Sequence, residues 1–200
     1  QIVKEIEGKQ AIIENAKEEP LTAFLDQVSQ AGGLYEVADY GIRFWYQNPL
    51  KATNITTQPH PGYKTDWQPI WTTLMTQATG TSEIVETGHN NRFGCIAELS
   101  QMGAQIKPFD PKPTDPEKFY NFNLADDRPE YILAVKVTGP TQLMPVNTQV
   151  KDIRFGATLV LAALMAQGKS VLDNVELIDR GYENLDIRLK RLGADITRQE

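Results

Sequence analysis

Apolar positions along the chain keep two rhythms, short β-prone runs and stretches at helical spacing, and glycines separate one from the other. Leu21, Phe24, Leu25 and Val28 predict one amphipathic helix, and Ile70, Trp71, Leu74, Met75 and Ala78 predict a second. Phe93, Ile96, Leu99 and Met102 give a third, and Leu185, Leu189 and Leu192 a fourth, lying opposite Asp186, Arg188, Lys190 and Arg191. Residues 152–167 differ, being apolar nearly all round, which predicts a buried central helix. Strands are expected at 11–13, 34–37, 41–47, 80–85, 105–106, 131–137, 171–172 and 195–196.

Three segments repeat one plan: a glycine, a β-prone run, a loop, an amphipathic helix, then Gly-Gly or Gly-Ala and another β-prone run. The opening and closing glycines are Gly8 and Gly32, Gly80 and Gly103, and Gly168 and Gly193, which lie 24, 23 and 25 residues apart. Each closing glycine suits the left-handed position just past a helix. The pattern predicts an α+β fold of α/β repeat units, with pseudo-threefold sheet-and-helix units around buried central helices, in one domain over residues 1–200. The units fall at about 1–56, 57–145 and 146–200. Copies two and three are preceded by a further helix, whereas copy one has only residues 1–7 there. The first unit is therefore expected to be truncated and the chain to be the C-terminal part of a longer protein. Residues 108–129, with five prolines, interrupt the pattern as a surface insertion pinned by its own aromatics, Phe119, Tyr120 and Phe122.

Charges recur with the repeat. Arg92 and Arg180 each lie twelve residues after the opening glycine of their copy, and Asp66 and Asp152 each open the preceding helix. If the copies fold alike, two carboxylates and two guanidiniums share one end of the domain, where Arg can hold an anion and Asp can accept a proton. Asp66 ends the stiff loop 57–65, in which Pro59 and Pro61 fix their own φ and Gly62 is free to adopt angles closed to other residues. Residues 65–68 also read as a capping box, so both aspartates could simply cap helices, and the arginines could pair with surface carboxylates such as Asp179.

Composition narrows the possibilities. A formal charge of −6 argues against a broad nucleic-acid surface. The longest apolar run, 157–166, is far short of the roughly 20 residues a membrane helix needs. One cysteine, Cys95, on an apolar helix face, reads as a core thiol, and with only His60 and His89 beside it there is no zinc spacing. No metal and no cofactor are expected, and with no signal peptide a cytoplasmic location is.

Four ordered motifs then stand out: Thr57-Gln58-Pro59-His60-Pro61-Gly62-Tyr63-Lys64-Thr65-Asp66-Trp67-Gln68, Glu86-Thr87 through Asn91-Arg92-Phe93, Asp152-Ile153-Arg154, and Ile178-Asp179-Arg180-Gly181-Tyr182-Glu183. Together they resemble the C-terminal half of the UDP-N-acetylglucosamine 1-carboxyvinyltransferases, a family of enolpyruvyl transferases in peptidoglycan synthesis. The resemblance covers nearly all of the chain outside 108–129. It implies the inside-out α/β barrel of that family, and transfer of enolpyruvyl from phosphoenolpyruvate to the 3-hydroxyl of UDP-N-acetylglucosamine. By motif match Asp66 is the general base, Asp152 a carboxylate near the reacting centre, and Arg180, a catalytic residue, and Arg154, a substrate-binding one, are associated with phosphoenolpyruvate and closure of the site. Arg92 supports the site, and Gly88 lies in the substrate-facing segment.

Departures mark this chain. Gly88, His89 and Asn90 stand where the family usually has a bulky apolar residue, an aromatic and an acid, and Leu177 stands where a histidine is common. The family's catalytic loop cysteine, lysine and further arginines belong to its N-terminal half, which is the expected partner domain, and Cys95 is not that cysteine. The 200 residues alone are therefore expected to be inactive. Three alternatives remain: a transferase like 5-enolpyruvylshikimate-3-phosphate synthase, a non-catalytic half-domain that binds a nucleotide sugar or a partner chain, and, disfavoured by the acidic charge, an RNA-end-processing relative of the fold.

Overall fold

In the computed structural model, residues 10–199 are described; Gly8 and the expected truncation of the first unit lie outside them. Strands β1 (Ala11–Glu14), β2 (Gly33–Ala38) and β3 (Gly41–Tyr46) form an antiparallel sheet in the order β1-β3-β2, and α1 (Thr22–Gln30) packs against β2. The second sheet joins β4 (Ile55–Thr56), β5 (Gly80–Val85), β7 (Ala134–Gly139) and β6 (Gln105–Pro108), in that order. Only its β4–β5 edge is parallel. A third, two-stranded parallel sheet pairs β8 (Asn147–Gln149) with β9 (Val171–Asp173).

A parallel pair needs a crossover, and here a helix makes it twice. Helix α2 (Gln68–Met75) links β4 to β5, and α5 (Ile153–Met165) links β8 to β9. Apolar side chains on α2 (Trp71, Met75) bury against Ile84, Val135 and Val137, while those on α5 (Ala157, Leu161) bury against Ile178 and Leu189. The two helices also pack against each other, so the repeat brings their N-terminal ends into one region. After them come α3 (Ile96–Gln101) in the second unit and α6 (Glu176–Asp179) and α7 (Leu185–Arg191) in the third. The closing glycines act as expected: Gly32, Gly103 and Gly193 have φ of 87°, 93° and 90°.

Three expectations change. Residues 195–196 form no strand, because Ala194 and Ile196 pack onto the third core cluster rather than onto a sheet edge. Helix α5 is buried over 156–162 but only half-buried over 163–166. Gly62 is not left-handed; a Cβ there would strike Gln58, so the loop needs its small size and not its φ. Residues 108–129 carry α4 (Pro116–Phe119) and a 3-10 turn at Leu124–Asp126. Tyr120 is buried between Phe119 and Phe122, with ring centroids 5.0 and 5.1 Å away.

Candidate active site

The loop leading to α2 is fixed from beneath by aromatic packing. Tyr63 is buried edge-on to Trp67 and Trp71, at 5.3 and 5.9 Å between ring centroids, and Phe24 of α1 closes the cluster. Backbone bonds from Gln58 N to Tyr63 O (2.8 Å) and from Gly62 N to Pro59 O (2.8 Å) hold the turn. Asp66 is thus delivered in a 3-10 turn, Thr65–Trp67, one residue ahead of the N-cap of α2.

Asp66 does not cap the helix. Trp67 occupies the N-cap with no side-chain bond, Gln68 donates to Thr72 Oγ1 (2.8 Å), and Thr65 Oγ1 donates to Glu86 Oε2 (2.8 Å). The capping box expected at 65–68 is therefore unmade, since its hydroxyl has a stronger acceptor in a buried carboxylate. Asp66 Oδ1 instead meets Arg92 Nη2 at 3.3 Å. The pair is lopsided: the Arg92 side chain is 8% exposed and that of Asp66 67%. Arg92 therefore does pair with a solvent-exposed carboxylate, but from a buried position, and its Nε and Nη1 are buried with no hydrogen-bond acceptor among the described residues.

Asp152, in contrast, is a true cap. Its Oδ1 accepts from the backbone N–H groups of Arg154 (2.9 Å) and Phe155 (3.5 Å), and both carboxylate oxygens lie 3.3 Å from the Arg154 guanidinium. Gly181 seats the next segment directly on this end of α5, for a Cβ there would come within 2.8 Å of Ile153 Cδ1. One residue further, Tyr182 is half-buried and lies within reach of the Asp66, Asp152 and Arg154 charges. Burial pushes its phenol pKa up, the Asp66 and Asp152 carboxylates add to that, and Arg154 opposes it. Four of the six residues singled out from the sequence, Asp66, Arg92, Asp152 and Arg154, thus gather at the ends of α2 and α5 with Tyr182 among them.

Arg180 stands two residues before Tyr182, exposed, and pairs with no described residue. Asp179 is not its partner, because Arg198 grips both Asp179 oxygens at 3.0 and 2.7 Å and holds that carboxyl below its usual range. Gly88 is half-buried, and its N–H donates to Glu86 Oε1 at 2.7 Å.

Glu86 is the residue the charge pattern missed. Its carboxylate is fully buried and accepts from Thr57 Oγ1 (2.8 Å), Thr65 Oγ1 (2.8 Å), Gly88 N (2.7 Å) and His89 N (3.0 Å). Burial pushes its pKa up while those four bonds pull it back. It therefore ties both ends of the 57–66 loop to the 88–89 backbone. The available signal was local: a lone acid closing a β-prone run, followed by Thr-Gly with free backbone donors.

His89 acts within its loop, Nδ1 accepting from Asn91 N at 3.2 Å. Cys95 is 1% exposed, and burial pushes its thiol up to about 12. Since the thiolate is the reactive form, iodoacetamide at pH 8 is expected to leave Cys95 unmodified in the folded protein and to label it after denaturation, as mass spectrometry would read. Among the described residues no group of three or more His, Cys, Asp or Glu side chains could hold a metal ion. None of their helices is long and apolar enough to cross a membrane.

Repeated sheet-and-helix units, with crossover helices α2 and α5 packed together, make this an α+β protein, and its relatives are enolpyruvyl transferases. The family model described as EPSP synthase (3-phosphoshikimate 1-carboxyvinyltransferase) matches residues 4–197, and the chain belongs to that family. It is 35% identical over 186 residues to the UDP-N-acetylglucosamine 1-carboxyvinyltransferase of Protochlamydia amoebophila (strain UWE25), a match covering 92% of this chain and 39% of that protein. To the enzyme of the same name from Chlamydia muridarum (strain MoPn / Nigg) it is 36% identical, covering 92% and 41%. The chain thus spans about two fifths of the length of these relatives. Among solved structures, the enolpyruvyl transferase NikO from Streptomyces tendae superimposes with a TM-score of 0.71 at 27% identity, covering 88% of this chain and 36% of that one. EPSP synthase from Acinetobacter baumannii, with a TM-score of 0.50 at 16% identity, shares the fold.

Proposed function

We propose that this chain is part of an enzyme that transfers enolpyruvyl from phosphoenolpyruvate to the 3-hydroxyl of UDP-N-acetylglucosamine, in the cytoplasmic synthesis of peptidoglycan precursors. The observation that carries the proposal is the exposed Asp66 carboxylate held by the buried Arg92, with Asp66 and the Asp152–Arg154 pair all acting on Tyr182. An exposed carboxylate held in place by a buried guanidinium is oriented to accept a proton from an approaching hydroxyl. Asp66 is accordingly the general base. Arg154, and Arg180 from the neighbouring segment, clamp the anionic donor, where guanidinium forks both orient it and stabilise charge that develops during the reaction. Asp152 holds Arg154 in place and lies near the reacting centre. Arg92 fixes Asp66, and Gly88 offers backbone to the nucleotide sugar. The isolated 200 residues are not expected to turn over, and the missing catalytic groups would come from a partner domain.

A transferase acting on a shikimate phosphate is the second possibility, favoured by the description of the matching family. Identity of about 35% to enzymes named for UDP-N-acetylglucosamine weighs against it. The test is a comparison of acceptors in the complete encoded protein. Phosphate release from phosphoenolpyruvate is expected with UDP-N-acetylglucosamine and not with shikimate 3-phosphate. Release with the latter alone would exchange the two readings, and release with neither would sink both.

A further inference from the structure

The insertion at 108–129 lies outside the repeat, yet it reaches the segment that carries Gly88. Asn121 donates twice to Thr87, from its backbone N to Thr87 O (2.7 Å) and from Nδ2 to Thr87 Oγ1 (3.1 Å). Three residues on from Thr87, Asn90 Nδ2 donates to the Asp126 carbonyl at 2.6 Å. On the opposite side Thr87 is bound to Thr57, its N donating to Thr57 Oγ1 (2.7 Å) and its hydroxyl to Thr57 O. Thr87 is wholly buried as a result. The stretch 86–90 is therefore clamped between the 57–66 loop and the insertion, like a strand with a neighbour on each edge.

The insertion is built to bear that load. Tyr120, next to Asn121, is buried between two aromatic rings, Asp115 caps α4 by accepting from Lys118 N, and Asn123 caps the 3-10 turn that ends in Asp126. Both contact points, Asn121 and Asp126, thus sit on locally fixed backbone.

We propose that the insertion is a positioning wall of the candidate site, fixing the backbone at residues 87–90 and thereby the register in which Gly88 meets the acceptor, a nucleoside-diphosphate sugar. The proposal rests on the enolpyruvyl transferase function above. It makes the insertion a determinant of acceptor affinity rather than of the chemical step, so loosening it should raise KM for the acceptor and spare kcat.

Two variants of the complete protein test this. Asn121→Ala removes one donor from an exposed position without touching the core. Replacing residues 111–131 by a short glycine-containing turn removes the whole wall, and the β6–β7 pairing that closes the hairpin remains, including Phe109 N to Ala134 O at 3.0 Å. Amide hydrogen exchange at Gly88 and His89 is expected to quicken about tenfold in the shortened variant, and less in Asn121→Ala. KM for UDP-N-acetylglucosamine should rise about tenfold with kcat within about twofold, and KM for phosphoenolpyruvate should not change. Unchanged exchange at 88–89 in both variants overturns the proposal, as does unchanged acceptor KM in an active enzyme. If the wild-type protein shows no transferase activity, the functional assignment fails by itself, and the exchange measurement still decides whether the insertion fixes the segment.

Discussion

Asp66→Ala in the complete protein is expected to lower kcat for enolpyruvyl transfer by about 10²- to 10⁴-fold, the range that a positioned general base contributes. KM for phosphoenolpyruvate should move little, because the donor is assigned to Arg154 and Arg180. The expectation is clean because Asp66 has no structural duty as a cap. Trp67 is the N-cap of α2, and the hydroxyl expected to complete a capping box is bound to Glu86. What Ala removes besides the base is the partner of a buried guanidinium, so Asp66→Asn is the companion variant. Its amide oxygen can still accept from Arg92, while the group can no longer take up a proton. If Asp66 is the base, Asn should be as slow as Ala while retaining more of the wild-type thermal stability. Rates near wild type for Asn would show that Asp66 positions and does not accept the proton.

Glu86→Ala should be among the most damaging single changes to the fold near the site. It leaves two hydroxyls and two backbone N–H groups without their shared acceptor. Each unsatisfied buried donor costs about 1–3 kcal/mol, although the hydroxyls can turn to other partners. A total of about 3–5 kcal/mol is expected, measurable as a lowered midpoint in urea with little change in slope. Glu86→Gln keeps one carbonyl oxygen for Gly88 and His89 and should cost about 1–2 kcal/mol. The two proteins should also differ in pH dependence. With the folded-state pKa of Glu86 raised by burial, the native state binds more protons than the unfolded state between the ordinary glutamate value and the raised one. The carboxylate's contribution therefore falls as pH rises through that window and is fully retained below it. The stability gap between wild type and Glu86→Gln should be widest at acid pH and narrow on the way to neutral; a gap that widens with pH would contradict the assignment.

Both predictions depend on residues whose visibility in the sequence differed. Asp66 stood out because the chain around it is stiff, with prolines at 59 and 61 and a helical rhythm starting immediately after. The rhythm could not decide between capping and catalysis, since that depended on whether Thr65 found a better acceptor than the helix end. Arg92 was legible by its recurrence with Arg180, but the recurrence suggested equivalent environments. The fold made them unlike: Arg92 is buried against Asp66, and Arg180 is exposed at the end of α6. Glu86 carried no charge partner and no repeat counterpart, so no pairwise pattern pointed to its four bonds.

Periodicity and glycine spacing alone determined the repeat, the longer helices and the closing turns, because those depend on local φ preferences and on which face of an element is apolar; the one-turn helices α4 and α6 were not among them. Tertiary structure alone decided which polar atoms meet. Residues 57, 65, 86 and 88 converge on one carboxylate, and 87 and 121 on one another, only because a parallel crossover and an ordered insertion bring distant segments together. Hydrogen bonds act over about 3 Å, a distance that sequence separation does not encode. The placement of Asp66 beside Arg92, and of Asp66, Asp152 and Arg154 around Tyr182, therefore goes with the packing of α2 against α5.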